Sequence, residues 1–485
     1  MFLYNTIDRE KQEFVPQTKN KVNMYACGIT AYDYCHIGHA RSTVVFDVLV
    51  RYLRYIGYDL TFVRNFTDVD DKIINRAARE NADPNEIAEK FIQAYYQDMD
   101  KLGILRADIE PRATEHIQDM IELTQKLEKK GYAYVTDNGD VYFRVRKYKD
   151  YGRLSGRNIE ELKSGIRVEP GGKKEDPLDF ALWKSAKPEE PKWDSPWGPG
   201  RPGWHLECSV MSEKYLGLPL DIHGGGQDLA FPHHENERAQ SEAAEDKTFA
   251  KYWVHNGFIR VNQEKMSKSL GNFITIRDIL DNFQPETLRF FLLTKHYRSP
   301  LDYSTEAMEE AEKGIKRIYS AKQAVEREMH KESWKKSPFP VDIMDEMQEI
   351  EDKWRSDMDD DMNTAGAIGQ IFNLVRLANR IVEDKKLRKS EDAREFFMRF
   401  LSDLNSWSEP LGILGGDASS FLTELKLLQA KRKGLNAARI DSLVSERSEA
   451  RQAKDFSRAD KIRDELQEMG VLVQDGPQGS VWEFE

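Results

Sequence analysis

Cysteine, long apolar runs and excess positive charge are all scarce in this 485-residue sequence. The three cysteines are odd in number and widely spaced, which argues against a disulfide framework and favours thiol or metal chemistry. There is no run of about 18 apolar residues, and the N-terminus lacks the apolar segment of a signal peptide. We therefore expect a soluble cytoplasmic protein that does not enter a membrane.

The charge balance excludes a generic nucleic-acid binder. The chain carries 84 acidic and 72 basic residues, which gives a formal charge of −12. Any contact with RNA must therefore use a locally basic surface. The length allows about three domains with full hydrophobic cores.

The N-terminal region predicts a strand that leads into a phosphate-binding helix. Lys21–Tyr25 is typical of a short buried strand, and the helix begins at His36 to His39. A helix N-terminus after a parallel strand favours phosphate through its backbone N–H groups and dipole. The alternative is an ordinary helix start with two incidental histidines. Apolar residues at helical spacing predict one buried face, formed by Val44, Val45, Val48, Leu49, Tyr52, Leu53 and Ile56.

A second phosphate-binding candidate is the segment Lys265-Met266-Ser267-Lys268-Ser269. Two lysines and two serines near a glycine are typical of a mobile loop that holds phosphate, although solvated loops often have the same composition. Together, the two segments resemble the paired signatures of class I aminoacyl-tRNA synthetases. Both are unmodified and occur in the expected order.

The region between these segments predicts a Rossmann-like parallel sheet with an insertion. Asp59–Phe66 is typical of the next parallel strand, and residues 107–202 carry β segments and a loop rich in Pro, Gly and Trp. We expect the sheet to resume at Gly203–Cys208 and to continue through Leu220–Asp228. Asp228 or Asp221 could hold ribose hydroxyls, and three glycines could admit a nucleotide against bare backbone: Gly224, Gly225 and Gly226.

Two cysteines and a helix start form a candidate metal site. His233 and Glu237 are four residues apart and share one helix face, and Cys27 and Cys208 are expected at strand ends. The four would make a Cys₂HisGlu set suited to tetrahedral zinc. Spacing alone leaves Cys35 and His205 as rival ligands.

His234 and Glu235, which lie between His233 and Glu237, are not predicted to be metal ligands. His234 is expected to pair with Arg238, which would make it a poor partner for a cation. Glu235 is expected to point away from the shared face.

The whole set of motifs resembles the cysteinyl-tRNA synthetase family over nearly the whole chain. The resemblance rests on residues 27–28, 36–39, 65–72, 204–208, 221–226, 232–237 and 265–269. It implies that one zinc ion per chain is held by Cys27, Cys208, His233 and Glu237, and that Cys35 is not a ligand. It also implies that the amino acid lies beside Gly28, Thr67 and Trp204.

For ATP, the resemblance and the helix argument together indicate phosphate contacts by His36, His39 and Lys268, with Lys265 closing over the same site. Gly224, Gly225, Gly226 and Asp228 complete the expected nucleotide site. The work expected of these residues is positioning and charge stabilisation, without a covalent nucleophile. Mg²⁺ is expected with the ATP.

The C-terminal part predicts long charged helices that end in a locally basic segment. Residues 424–463 contain eleven lysines or arginines against six acidic residues. Phe456 could stack on a base, and four basic residues recur at helical spacing: Arg447, Arg451, Arg458 and Lys461. The pattern indicates phosphate contact with tRNA; the alternative is a solvated charged helix.

The predicted architecture is α/β followed by all-α. A split catalytic domain (1–106 and 203–300) surrounds an inserted connective domain (107–202). A stem-contact region and helical bundle (301–434) precede a C-terminal anticodon-recognition piece (435–485).

The implied reaction joins L-cysteine and ATP into cysteinyl-adenylate and transfers the cysteine to the 3′ end of tRNA(Cys), with the enzyme as a monomer. One alternative is a cysteine:amine ligase of the mycothiol-synthesis type, which would not need the helical extension. The other is a non-catalytic zinc-containing RNA-binding protein, which would not need both phosphate-binding segments. The insertion is too short for a whole editing domain, so we expect zinc to distinguish the thiol of cysteine from the hydroxyl of serine at first binding.

Overall fold

The computed structural model describes residues 1–158, 174–188, 190–265, 273–340, 342–476 and 479–484. The first part of the chain alternates strands with helices. Its elements are β1 (Phe2–Asn5), β2 (Glu10–Glu13), β3 (Lys21–Thr30), α1 (Ile37–Tyr55), β4 (Asp59–Thr67), α2 (Asp71–Glu80), α3 (Pro84–Lys101) and α4 (Ile117–Lys129).

The middle of the chain is richer in strands. It contains β5 (Ala133–Val135), β6 (Val141–Phe143), β7 (Phe180–Ser185), β8 (Gly200–Pro202), α5 (Trp204–Leu216), β9 (Leu220–Gly226), α6 (Glu235–Glu245), β10 (Ala250–Asn256), β11 (Ile259–Val261) and β12 (Glu264–Lys265).

The last part is mainly helical. It contains α7 (Ile276–Leu280), α8 (Pro285–Leu293), β13 (Leu301–Tyr303), α9 (Thr305–Met329), α10 (Asp342–Asp359), α11 (Thr364–Glu383), α12 (Glu391–Leu411), α13 (Ala418–Arg432), α14 (Ala437–Gln452), α15 (Phe456–Glu468), β14 (Val471–Gly476) and β15 (Gly479–Phe484).

The central sheet has the strand order β10-β9-β3-β4, and every pair in it is parallel. Parallel strands joined through helices present their carboxyl ends at one edge, where open α/β sheets bind ligands. The predicted α/β class is therefore confirmed. Between β4 and β9, the strands β5 to β8 form a separate antiparallel sheet.

Helix α1 joins the sheet to the helices that follow it. Val45, Leu49 and Leu53 pack in a core with the strands. Val44, Val48 and Tyr52 instead belong to a core shared with α8, α9, α11 and α12. The apolar residues predicted to form one buried face therefore divide between two, and α1 is buried from both sides.

The prediction that the sheet resumes at Gly203–Cys208 is wrong, because this segment enters α5. Gly203 is extended and precedes the helix, and the residues from Leu206 to Ser212 are all buried. A helix that is buried all round has no apolar stripe, so a short piece of it cannot be told from a buried strand by periodicity.

The described part of the chain contains no helix that is both long enough and apolar enough to cross a membrane.

A buried ion pair ties α1 to α8. Arg289 and Asp47 are each 1% exposed and form a salt bridge. Arg289 also donates to the carbonyl oxygen of Leu411, at 2.8 Å, so the same side chain reaches the end of α12. Asp47 in turn accepts from the backbone N–H of Leu105, at 2.8 Å.

We expect Arg289→Ala to destabilise the protein by about 3 kcal/mol, because it removes the buried partner of Asp47 and leaves only the more exposed Arg51 paired with this carboxylate. The control is Lys11→Ala, which removes a surface ion pair with Asp360 whose side chains are 41% and 54% exposed. That variant should change stability by at most about 1 kcal/mol. Urea unfolding of both variants checks the difference, and similar midpoints would contradict it.

Candidate active site

A bulge in β3 places Cys27 at the carboxyl edge of the sheet. The register between β3 and β4 shifts between Ala26 and Ile29, and the Gly28 N–H donates to Asn65 Oδ1 at 2.9 Å. A Cβ added at Gly28 would lie 1.6 Å from the carbonyl oxygen of Asn65. The close approach therefore requires glycine next to the cysteine.

The four predicted metal ligands converge on one buried point. Cys27 Sγ lies 3.5 Å from Cys208 Sγ, and Cys208 Sγ lies 3.6 Å from His233 Nε2. His233 Nε2 lies 2.8 Å from Glu237 Oε1, as expected for residues four apart at the start of α6. All four donor atoms lie within 4.8 Å of one another. The set offers two sulfurs, a nitrogen and an oxygen to one cation.

The interpretation of His234 is wrong. Its Nε2 lies 3.3 Å from Cys27 Sγ, and its Nδ1 lies 2.8 Å from His255 Nε2. A turn with extended Phe231 precedes α6 and brings both neighbouring histidines to the cluster. Cys27 and Glu237 consequently belong to a second group of potential ligands, completed by His223 and His234.

The two rival ligands lie outside both groups. Cys35 is buried in the apolar core around α1 and α8. The His205 Nδ1 lies 2.9 Å from His233 Nδ1. His205 therefore contacts the ring nitrogen of His233 that does not face the other predicted ligands. Arg238 lies near acidic side chains, including Glu235 at 3.6 Å and Glu242 at 3.1 Å.

Burial and nearby charges raise the pKa values of Cys27 and His233 and lower that of Cys208. Burial raises the pKa of the Cys27 thiol well above its usual range, and the adjacent Cys208 adds to the rise. Burial opposes ionisation of Cys208, but hydrogen bonds with Cys27 and His233 outweigh it and lower the Cys208 pKa to about 6. Glu237 overcomes burial and raises the pKa of His233 to about 10. A cation must displace the protons of Cys27 and His233, so its binding strengthens as pH rises.

A cleft of about 430 Å³ opens beside the cluster. Cys27, Gly28 and Trp204 line it, and the Trp204 ring stacks on His233 with centroids 4.0 Å apart. Thr67 is 3% exposed and donates its hydroxyl to Glu207 Oε2, so its side chain is already held by a buried carboxyl group.

His36 and His39 cap α1 reciprocally. The His36 Nδ1 accepts from the backbone N–H of Gly38 at 3.0 Å, and the His39 Nδ1 accepts from the N–H of His36 at 3.2 Å. A neutral imidazole that accepts at Nδ1 carries its proton on Nε2. Both residues line the cleft, so the helix N-terminus and two imidazole donors belong to the same site.

The three consecutive glycines have different surroundings, and they were all predicted to lie against the nucleotide. Only Gly226 lines the cleft, next to Asp228. A Cβ at Gly224 would meet the Val254 carbonyl oxygen at 2.3 Å and the Phe46 ring at 2.6 Å, so this glycine allows α1 to pack on the sheet. A Cβ at Gly225 would meet the Leu229 side chain at 2.9 Å and the His234 ring at 3.1 Å, so this glycine allows those side chains to pack on β9.

Asp221 is not near a ribose position. Its carboxylate accepts the backbone N–H groups of Gln17, at 2.7 Å, and Asn23, at 2.9 Å. It lies at the opposite end of β9 from Gly226 and holds the chain that enters β3. Of the two aspartates considered for ribose, only Asp228 lies in the cleft.

Lys268 and the side chain of Lys265 lie outside the described residues. The chain is described again from Phe273, whose ring lies 5.0 Å from that of His36. The Ile276 N–H donates to the Cys35 carbonyl at 2.9 Å, and the Ile37 N–H donates to the Ile274 carbonyl at 3.2 Å. The segment after the lysine motif is therefore bound to the start of α1.

The basic C-terminal surface is smaller than predicted. Arg447 is 8% exposed and, like Arg451, forms a salt bridge with Asp475, so the choice of Arg447 as a phosphate contact is wrong. Arg458 lies 3.4 Å from Glu446. Phe456 is 62% exposed and stays available for stacking.

Comparison with known proteins covers the whole chain. Residues 13–313 match the family described as tRNA synthetases class I (C) catalytic domain, 353–415 the DALR domain, and 436–482 the cysteinyl-tRNA ligase anticodon binding domain. A cysteine–tRNA ligase of Maridesulfovibrio salexigens is 64% identical over 99% of each chain. One of Oleidesulfovibrio alaskensis is 60% identical over 100% of each.

Solved structures share the fold at low identity. A methionyl-tRNA synthetase of Mycobacterium tuberculosis in complex with methionyl-adenylate superposes with a TM-score of 0.62 at 17% identity. The match covers 83% of this chain and 93% of that one. The Agrobacterium radiobacter K84 LeuRS–tRNA–LeuAMS ternary complex gives a TM-score of 0.60 at 11% identity, covering 84% and 87%.

We expect Cys208→Ser to lower tightly bound metal by about one ion per chain, because it replaces a thiolate ligand of the cluster. Cys35→Ser is the matched control, since the Cys35 sulfur belongs to neither ligand group. Elemental analysis of both purified proteins after exhaustive dialysis checks this. Equal metal content in the two variants would contradict the assignment.

Proposed function

The chain belongs to the cysteine–tRNA ligase family of class I aminoacyl-tRNA synthetases, and from this we propose that its buried cluster holds the zinc ion that selects cysteine. The protein uses ATP and Mg²⁺ to activate L-cysteine as cysteinyl-adenylate and charges tRNA(Cys) with it. The comparisons do not favour the cysteine:amine ligase or the non-catalytic RNA-binding protein. The monomeric state and the cytoplasmic location remain predictions.

The donor set supports one zinc ion held by Cys27, Cys208, His233 and Glu237. Two thiols 3.5 Å apart, an imidazole and a carboxylate are ligands that zinc accepts at tetrahedral spacing. When bound, zinc would favour the thiolate form of cysteine as a soft ligand over the hydroxyl of serine. The single observation that carries the proposal is the convergence of these four donors beside a cleft, with Cys208, His233 and Glu237 buried.

We assign the amino acid to the part of the cleft beside this cluster. Gly28 leaves the β3 backbone exposed, and Trp204 covers His233 with its ring. Thr67 lies at the end of β4, where Glu207 fixes its hydroxyl. Cysteine bound there would have its side chain toward the ligands and its carboxylate toward ATP.

We assign the ATP phosphates to the N-terminus of α1. His36 and His39 would donate from Nε2, and the helix dipole favours the negative charge there. Asp228 and Gly226 lie where a ribose would pass. Because Phe273 to Ile276 lie against the start of α1, Lys265 and Lys268 are expected to approach the same phosphates.

We expect Lys268→Ala to lower the rate of cysteine-dependent ATP–pyrophosphate exchange by on the order of 10²-fold or more, while cysteine affinity changes little. The reason is that the ammonium stabilises charge that develops on the phosphates in the transition state. The matched lysine control is Lys295→Ala, because Lys295 is exposed and lies outside the set of residues that line the cleft. The control should keep its exchange rate. A loss of cysteine affinity at an unchanged rate in Lys268→Ala would contradict the role of Lys268.

The tRNA surface is proposed at the C-terminal unit from α14 to β15. This unit has an apolar core that includes Ile440, Leu466 and Trp482, and Ala430 of α13 packs against it. Only a short link, residues 433–436, separates α13 from α14. Its residues match the anticodon binding domain described above.

We expect deletion from Leu435 onward to leave pyrophosphate exchange largely intact and to weaken charging of tRNA(Cys), because the deleted core is separate from the cleft. Both rates are measured on the same truncated protein, and circular dichroism confirms that its helices remain. Undiminished charging, or loss of exchange in a folded truncation, would count against a separate tRNA-reading unit.

A further inference from the structure

A buried ion pair attaches the end of α13 to α9. Glu312 of α9 is 2% exposed, and its two carboxylate oxygens accept from the two ends of the Arg432 guanidinium, at 2.7 and 3.1 Å. Gln429, one turn earlier on α13, donates to the same carboxylate at 2.7 Å. An arginine fork on a carboxylate fixes the angle between two elements as well as their distance.

The same end of α13 also contacts the residues that follow α7. Arg432 donates to the carbonyl oxygen of Asn282 at 3.1 Å, and its guanidinium lies 4.4 Å from the centre of the Phe283 ring. Lys431 donates to the carbonyl oxygen of Asp281 at 3.2 Å. Basic side chains at the end of a helix satisfy carbonyl groups that have no partner within the helix. Arg432 therefore joins three elements, which are α7, α9 and α13.

Helix α7 connects these contacts to the cleft. Its first residue, Ile276, donates its N–H to the carbonyl oxygen of Cys35, which lies just before α1. Phe273 lies against the ring of His36. One end of α7 therefore lies at the start of α1, and the other end holds α13.

The C-terminal unit follows directly after Arg432, because only residues 433–436 separate α13 from α14. The unit also rests on the side of α13 and α9. Lys426 lies 4.3 Å from the centre of the Trp482 ring, and Lys316 forms a salt bridge with Glu483 at 2.7 Å. The direction of α13 consequently determines where the unit lies relative to the cleft.

The burial of Glu312 is better explained by orientation than by stability. Two charges taken out of water lose hydration free energy that their attraction only partly returns, so an apolar pair of similar size often stabilises a protein equally well. An apolar pair does not set an angle, whereas two parallel N–H···O bonds do. The ion pair thus indicates a requirement for one defined direction of α13.

We propose that Glu312 and Arg432 are positioning residues for the charging of tRNA(Cys). Their contact holds the C-terminal unit at the distance and angle at which one tRNA molecule reaches both this unit and the cleft. The inference rests on the proposed tRNA surface from α14 to β15. Two regions that contact one ligand bind it more tightly than either alone only when the geometry allows both contacts at once. Activation of cysteine takes place in the cleft alone and does not depend on the pair.

The test uses two variants of the full-length protein and one matched control. Glu312→Gln keeps the size of the side chain and removes its charge. Arg432→Met removes the fork and keeps an unbranched stem over Phe283. The control is Glu310→Gln, because Glu310 is an exposed glutamate on the same helix. Three rates are measured on each protein: charging of full-length tRNA(Cys), charging of an acceptor-stem minihelix, and cysteine-dependent pyrophosphate exchange.

We expect Glu312→Gln and Arg432→Met each to raise the KM for tRNA(Cys) by about 10-fold, with a smaller change in kcat, because the two contact regions no longer act together. Exchange and minihelix charging do not use the C-terminal unit and should keep their rates. The control should keep all three. Combining the two substitutions should add little to either alone, because both remove the same contact.

An unchanged KM for tRNA(Cys) in Glu312→Gln, with a raised KM after deletion from Leu435 onward, would overturn the positioning role and leave the tRNA surface intact. An unchanged KM in both proteins would overturn the tRNA surface as well. A parallel loss of exchange would show a general structural effect and would also overturn the proposal. If circular dichroism shows that Arg432→Met does not fold, Glu312→Gln decides the question.

Discussion

The buried carboxylate of Glu237 is the constraint on which the site depends. Burial alone would raise the pKa of this carboxyl, but His233, His223 and His234 hold it well below its usual range. An ionised carboxylate away from water needs positive charge in contact with it. The bulge at Cys27, the start of α5 and the turn before α6 bring thiols and imidazoles to that position. The cleft that Cys27, Gly28 and Trp204 line opens beside this cluster.

Helix α1 is packed from both sides, which fixes its position on the sheet. One face lies on the sheet that carries Cys27 and the other on the helices that lead toward the tRNA-binding part. The start of α1, where we propose that phosphates bind, is thereby fixed relative to Cys27. A reaction that depends on positioning two substrates, without a covalent nucleophile, requires such fixed distances.

The pattern of strands and helices predicted the parallel sheet. Spacing offered Cys27, Cys208, His233 and Glu237 as metal ligands but left Cys35 and His205 as rivals, and only the resemblance to the family selected the four. The sequence was misleading where periodicity carries no information: residues 206–212 of α5 are all buried, and the start of this helix was predicted as a strand. His223 was missed, because a lone histidine in a glycine-rich strand has no spacing signal. The place of His234 depends on the extended Phe231, which i,i+4 spacing cannot reveal. The glycines at 224 to 226 looked equivalent, but tertiary packing separates them.

We propose that a metal ion in the cluster recognises the thiol of cysteine, so that serine is rejected at first binding. The most direct measurement is the absorption spectrum of the cobalt-substituted enzyme, with cysteine and then serine added in the absence of ATP. We predict an increase in thiolate-to-cobalt absorption with cysteine and no change with serine. Saturable cysteine binding that leaves the spectrum unchanged would contradict the account.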